Sequence, residues 1–200
     1  MDMENVLLWV GWLGGAYLVG AIPFGFLIGK MRGVDVRTVG SKNIGATNVY
    51  RTVGHAWGFL AFFCDFLKGF LPAFLALRLA SSVDANLPVY VGLAAVVGHT
   101  LTVFMKFRGG KGVATAFGMM VALATCPALL AFAVFVVTVW LSHYISLGSI
   151  LAATTLAVLV WIFPCAFAMQ IVGTAIGVFV VVKHKSNIQR LVRGCENKIY

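Results

Sequence analysis

Long apolar runs alternate with short polar clusters along the whole chain, and that alternation predicts helices that cross a membrane. The first run, Val6 to Ile28, is long enough for a hydrocarbon core of about 30 Å, which needs roughly 17–25 apolar residues. A second extends from Trp57 to Leu79 and a third from Leu87 to Met105. From Gly112 to Val182 the chain stays apolar, interrupted only at Thr125-Cys126-Pro127, from Ser142-His143-Tyr144 to Gly148, and at Phe163-Pro164. Four shorter helices in this region bring the total to seven spans. The five-span alternative makes single helices of 112–141 and 148–182, about 45 and 52 Å long, which is more than tilt absorbs. Each of those stretches also carries a proline where a turn fits. The expected fold is therefore all-α, one polytopic membrane domain over residues 1–200 with seven transmembrane helices.

Composition requires the same solvent. Apolar residues make up 61% of the 200 and charged residues 10%, against about 45–50% and about 25% in an ordinary globular chain. Asp2 and Glu4 stand where a cleaved leader would carry basic residues, so the first run is expected to stay.

The cations set the orientation. Of 15 Lys and Arg, five fall in 30–51, three in 106–111 and five in 183–198, leaving only Lys68 and Arg78. Asp2, Glu4 and Asp84 mark the opposite side. The positive-inside rule puts the amino terminus outside, in the periplasm, and the carboxyl terminus in the cytoplasm, as an odd number of spans requires. The net charge of +9 belongs to short loops beside membrane helices. It answers to topology, lipid headgroups and anionic substrates, and nucleic acid is not an expected partner. Cys64, Cys126, Cys165 and Cys195 show neither metal-ligand spacing nor a disulfide framework.

Three polar segments need explaining, and the predicted topology gathers all of them on the cytoplasmic side, where they can converge on one cavity. The first is Gly40-Ser41-Lys42-Asn43-Ile44-Gly45-Ala46-Thr47-Asn48-Val49-Tyr50-Arg51. Its two glycines allow backbone N–H groups to turn inward as an anion nest, with Ser41, Thr47 and Asn48 as further donors. Arg51, one turn after Thr47, can fork onto a phosphate. The plainer reading is an N-capped interfacial helix whose arginine reaches the headgroups.

The second runs from Gly98-His99-Thr100 to Phe107-Arg108-Gly109-Gly110-Lys111-Gly112-Val113-Ala114-Thr115. Glycines around a lysine before an apolar helix suit an anion at a helix N-terminus. This is not a nucleotide loop of the Walker A type. Met105 stands where its first glycine belongs, and Gly112 where a hydroxyl would hold magnesium. The plainer reading is a tight turn with lysine as a topology marker, and His99 alone reads as a structural histidine.

The third is Lys183-His184-Lys185-Ser186-Asn187-Ile188-Gln189-Arg190-Leu191-Val192-Arg193-Gly194-Cys195-Glu196. His184 and Asn187 share a helical face, although a basic amphipathic tail has the same pattern. Ser146 and Ser149 flank Gly148 at a fourth cytoplasmic turn, where they reach a cavity or cap a helix. Asp65 and Lys68, i and i+3 within the second run, read as a mutual structural pair near its cytoplasmic end.

Together these segments resemble the acyl-phosphate glycerol-3-phosphate acyltransferase family, PlsY. Its signatures are similar to G-S-x-N-x-G-A-T-N-x-x-R, G-H-x-x-P-x-F-x-x-F-x-G-G-K-G-V-A-T and K-H-x-x-N-I-x-R-L-x-x-G-x-E, and all three occur here in order. Lys42 departs from them at a usual glycine, which alters loop geometry while adding charge. Thr102 departs at a usual proline, which is expected to loosen the end of the third span.

The resemblance implies transfer of a fatty acyl group from acyl phosphate to the 1-hydroxyl of sn-glycerol 3-phosphate, in a bacterial inner membrane and facing the cytoplasm. Lysophosphatidic acid and inorganic phosphate would be the products, with glycerol 3-phosphate, acyl phosphate and membrane lipid as partners and no cofactor or metal. It implies that Ser41, Asn43, Gly45, Thr47, Asn48, Arg51, Gly109, Gly110 and Gly112 bind substrate phosphate. Lys111, Ser149, His184 and Asn187 would be catalytic and Glu196 structural. Within that assignment, Ser149 and Asn187 donate to the developing oxyanion. His184 is a general base or, lacking an apparent carboxylate partner, a donor to phosphate. The rival from another class is a phosphate or organic-anion transporter, which calls for binding groups near the bilayer midplane and related halves. The polar motifs here lie at one face, and no repeat is visible.

Overall fold

The structure, a computed structural model, describes residues 3–199. All regular structure among them is helical: α1 (Met3–Ala21), α2 (Phe24–Met31), α3 (Ala46–Thr52), α4 (His55–Leu79), α5 (Leu87–Thr100), a 3-10 turn (Val103–Met105), α6 (Val113–Leu123), α7 (Thr125–Ser142), α8 (Ile145–Ile162), α9 (Phe167–Lys183) and α10 (Lys185–Val192).

Five stretches are long and apolar enough to cross a membrane: Met3–Met31, His55–Leu79, Leu87–Met105, Thr125–Ser142 and Ile145–Ile162. α9 and α10 make a further stretch, bent by 54°, and α6 is a shorter apolar helix of 11 residues. The chain is a multi-pass membrane protein. The two long helices of the five-span alternative are absent, because the chain breaks at Ala124 and again over residues 163–166. At the second break Pro164 forces Phe163 out of the helical region, to ψ 155°. The first run differs from its expected continuity. Pro23 lacks an N–H and disfavours helix at the residue before it, so α1 stops at Ala21 and α2 restarts at Phe24.

The chain divides into two compact units, Met1–Leu123 and Ala124–Tyr200. In the first, α4 is central, with α2, α3, α5 and α6 packed on it, and α1 lies along α5. Close approach depends on small residues, as in other membrane helix pairs. A β-carbon at Gly69 on α4 would strike the Thr115 carbonyl on α6, and one at Gly118 would strike the Phe66 carbonyl. Ile28, Val36, Ile44, Val49 and Ala61 form an apolar cluster that plugs the loop after α2 against α3 and α4.

In the second unit, α8 packs on both α7 and α9. Trp161 Nε1 donates to Thr174 Oγ1 at 2.8 Å, tying the end of α8 to α9. Leu129, Val137, Trp140, Leu141, Val158 and Ile162 stay exposed, the outward apolar surface that a lipid solvent accepts. α10 touches α8 and α9, and the tail returns so that Ile199 N–H donates to His143 O at 2.8 Å.

Candidate active site

The first polar segment is organised by one side chain. Asn48, on the first turn of α3, is 2% exposed. Its Nδ2 donates to Val36 O (2.8 Å), Asn43 O (2.9 Å) and Val39 O (3.2 Å). Its Oδ1 accepts from Ser41 N–H at 2.9 Å. An amide carries two hydrogens, so three carbonyls share them. The Asn48 hydrogens thus point into the loop.

The backbone nest is reduced for the same reason. Ser41 N–H is held by Asn48, Lys42 N–H by Val39 O (3.0 Å) and Gly45 N–H by Asn43 Oδ1 (2.8 Å). Gly45 and the Asn43 carboxamide oxygen therefore hold each other. Outward the loop presents exposed Ser41 and Lys42, while Thr47 and Arg51 are half-buried on α3. Gly40 and Lys42 both take the left-handed conformation, φ 58° and 56°.

A feature not read from the sequence lies in the same loop. Arg37 grips Asp35 through Nε (2.9 Å) and Nη2 (2.7 Å). These hydrogen bonds lower the Asp35 pKa to about 2. The Asp-x-Arg spacing was its visible signal.

The second segment folds back on the end of α5. Gly109 N–H donates to Thr100 O (3.1 Å) and Gly110 N–H to His99 O (3.2 Å). These two glycine amides thus close the carbonyls left open at the helix end. Lys106 and Phe107 adopt left-handed φ values of 52° and 60°, turning the chain, and Gly112 follows at 79°. Half-buried Lys111 then stands just before the N-terminus of α6. Thr102 does not loosen the span end. Its Oγ1 donates to Ala21 O at 2.6 Å, fully inside the protein.

In the second unit, residues singled out on α8 and α10 meet around Glu196, which is 8% exposed. Its Oε1 accepts from Asn187 Nδ2 (2.7 Å) and Ser146 Oγ (2.9 Å), and its Oε2 from Arg190 Nε (2.6 Å). Burial opposes its ionisation, but the hydrogen bonds from Asn187, Arg190 and Ser146 outweigh it and hold the pKa below the ordinary value. Ser149, one turn beyond Ser146 and buried, gives its hydroxyl hydrogen to Ile145 O at 2.9 Å. His184, 3% exposed, joins α9 to α10. Its Nδ1 lies 2.7 Å from Val180 O. A carbonyl only accepts, so Nδ1 carries the proton. A backbone carbonyl thus helps to orient His184, a contact that a search for carboxylates in the sequence does not reveal.

Among the described residues no three His, Cys, Asp or Glu side chains lie together as a metal cage. Asp65 and Lys68 pair at 2.8 Å as expected.

Comparison with known proteins assigns the family. A family profile described as "Glycerol-3-phosphate acyltransferase" matches residues 10–194. The chain is 49% identical over 187 residues to the glycerol-3-phosphate acyltransferase of Trichlorobacter lovleyi, covering 94% of this chain and 95% of the relative. With that of Aquifex aeolicus it is 43% identical, over 92% of this chain and 95% of the relative. It is also similar to two crystal structures of PlsY, an integral membrane glycerol 3-phosphate acyltransferase. For the glycerol 3-phosphate form the TM-score is 0.90 at 40% identity, covering 95% of this chain and 94% of that one. For the lysophosphatidic acid form it is 0.88 at 39%, with the same coverage. The chain belongs to the glycerol-3-phosphate acyltransferase family.

Proposed function

We propose that the chain makes lysophosphatidic acid in a bacterial inner membrane, taking its acyl group from acyl phosphate. The 1-hydroxyl oxygen of sn-glycerol 3-phosphate attacks the acyl carbonyl carbon, and the carbon–oxygen bond to phosphate breaks. Inorganic phosphate leaves with the bonding pair, and the hydroxyl proton ends on a phosphate oxygen. Two phosphorylated reactants bring about three to four negative charges. In the first unit, Lys111, Arg51 and Ser41 answer that charge, with Thr47, Gly112 and the first amides of α6 as further donors. Lys42 adds charge at the loop's exposed edge.

In the second unit, Ser149 and Asn187 donate to the carbonyl oxygen as it gains charge, roughly 3 kcal/mol per donor in other acyl transfers. Ser149 does so after rotating its hydroxyl from Ile145 O. His184 acts as an imidazolium whose Nε2–H donates to phosphate, and the substrate phosphate takes the proton. Acyl phosphate is already activated, so no covalent enzyme intermediate is required.

The chain crosses the membrane seven times, with the short α6 as one crossing and its amino terminus in the periplasm. The polar segments then face the cytoplasm. What supports the reading is kinship over nearly the whole chain with a protein crystallised in glycerol 3-phosphate and lysophosphatidic acid forms. The test is purified protein with acyl phosphate and glycerol 3-phosphate in chelator. Lysophosphatidic acid and phosphate are expected in equal amounts, with no product from acyl-CoA. Failure to form lysophosphatidic acid overturns the assignment, and vesicle uptake of phosphate without chemical change would replace it with a transporter.

A further inference from the structure

Three ionisable side chains that the reaction does not use lie deep in the first unit. Asp65, Lys68 and His99 are 2%, 3% and 5% exposed, all on helices long enough to cross a membrane. Ionisable groups at such depth are expensive unless paired, and they mark function more often than stability. Their contacts run in one direction. Lys68 Nζ donates to Ile22 O at 2.8 Å, at the break that Pro23 makes between α1 and α2. The same ammonium is 2.8 Å from Asp65 Oδ1. His99 Nδ1 stands 3.6 Å from that oxygen and has no hydrogen-bond partner. The other edge of the ring lies under the glycine turn: a β-carbon at Gly110 would collide with His99 Nε2. His99 O also accepts the Gly110 N–H.

An ion pair that served stability alone would be replaceable by apolar residues of similar volume. This one ends on the residue before Lys111. We propose that Asp65, Lys68 and His99 form a positioning unit for the Gly109–Gly112 turn and so set where Lys111 meets a substrate phosphate. Lys68, fixed on the Ile22 carbonyl, holds the Asp65 carboxylate in place. Asp65 faces Nδ1 and keeps the imidazole on edge, and the ring edge sets the height of Gly110. None of the three touches substrate. The inference rests on the acyl-transfer reading above.

The test compares wild type with the double variant Asp65→Asn, Lys68→Met, which removes both charges together and leaves no lone charge buried. The expected result is a folded protein whose KM for one of the two phosphate substrates rises about tenfold, with kcat within about threefold, because a misplaced turn costs positioning. The substrate affected identifies whose phosphate the turn holds. Wild-type KM for both substrates in a folded variant overturns the proposal, as does a fall in kcat alone.

A second cycle needs no change at the ion pair. Gly110→Ala is expected to weaken binding by collision with the ring, and adding His99→Ala is expected to restore at least about fivefold of that loss. Strictly additive effects overturn the proposal. Calorimetric titration with glycerol 3-phosphate and inorganic phosphate separates the two readings. Wild type that binds phosphate yet makes no lysophosphatidic acid refutes the acyltransferase assignment, while a weaker Kd in the double variant still supports the positioning unit.

Discussion

Asn48 in the first unit and Glu196 in the second do the same structural work with opposite chemistry. Asn48 gathers acceptors, the carbonyls of Val36, Val39 and Asn43. Glu196 gathers donors, from Ser146, Asn187 and Arg190. The difference follows from what each neighbourhood leaves unsatisfied. An irregular loop without ladder partners exposes carbonyls, so a neutral amide fits there. A helix start beside a short basic helix presents hydroxyl, amide and guanidinium hydrogens, and a carboxylate is tolerated in burial because a guanidinium balances it. One hub cannot titrate and the other can.

The largest expected effect comes from reversing the polarity of the first hub. Asn48→Asp sets an oxygen against three carbonyl oxygens, and each buried acceptor left without a donor costs about 1–3 kcal/mol. Turnover should fall more than about 100-fold, with rapid hydrogen exchange across residues 33–52. If it instead keeps more activity than Glu196→Gln, the loop does not depend on Asn48.

His184→Gln comes next. General-base catalysis is worth about 10²–10⁴ in rate, so loss of that size would make His184 an obligatory base. The donor role expects a loss of only about tenfold, carried mainly in KM. Steady-state kinetics with both substrates decides between them.

The second hub gives a smaller effect with a pH signature. The folded Glu196 pKa is lowered from the ordinary value of 4.5. Its stabilisation is therefore complete above that value and is lost as the pH falls through the folded pKa. Glu196→Gln should cost about 1–3 kcal/mol at neutral pH and lose less than wild type on acidification. Melting temperatures from pH 7 down to pH 3, compared between the two proteins, check the sign. Equal acid sensitivity would mean that other carboxylates carry the transition.

How much of this was legible in the sequence depended on the range of the interaction. Apolar runs and prolines located the breaks near residues 124, 143 and 163, because span length and proline stereochemistry act locally. The residues of the three segments were also visible. Their division of labour was not, since the hydrogens of Asn48, Gly109 and Gly110 are committed to carbonyls that only the folded chain brings near. Ser146 lies 50 residues from Glu196, and no spacing rule links them. The break at Pro23 was passed over because the run around it is uniformly apolar. Its carbonyls are then met by Lys68 and Thr102, both distant in the sequence.

The two departures from the family signatures yield the smallest predictions. Lys42 holds φ 56°, where a side chain costs roughly 1 kcal/mol that glycine avoids. Lys42→Gly should raise stability by less than about 1 kcal/mol, since glycine also loses more backbone freedom on folding. Thr102 already has φ −68°, the value a proline ring imposes. Thr102→Pro therefore gains about 0.4–1 kcal/mol from the unfolded chain and loses the hydroxyl bond to Ala21 O, worth about 1 kcal/mol. The net change should be close to zero. Thr102→Val isolates the second contribution, because it deletes the hydroxyl and leaves the backbone as it is. It should cost about 1 kcal/mol or slightly more, the Ala21 carbonyl being left without that donor. If denaturation in detergent shows Thr102→Val equal to wild type while Thr102→Pro is more stable, the hydroxyl tether contributes nothing. The departure at Thr102 would then be a loss of proline stiffness alone.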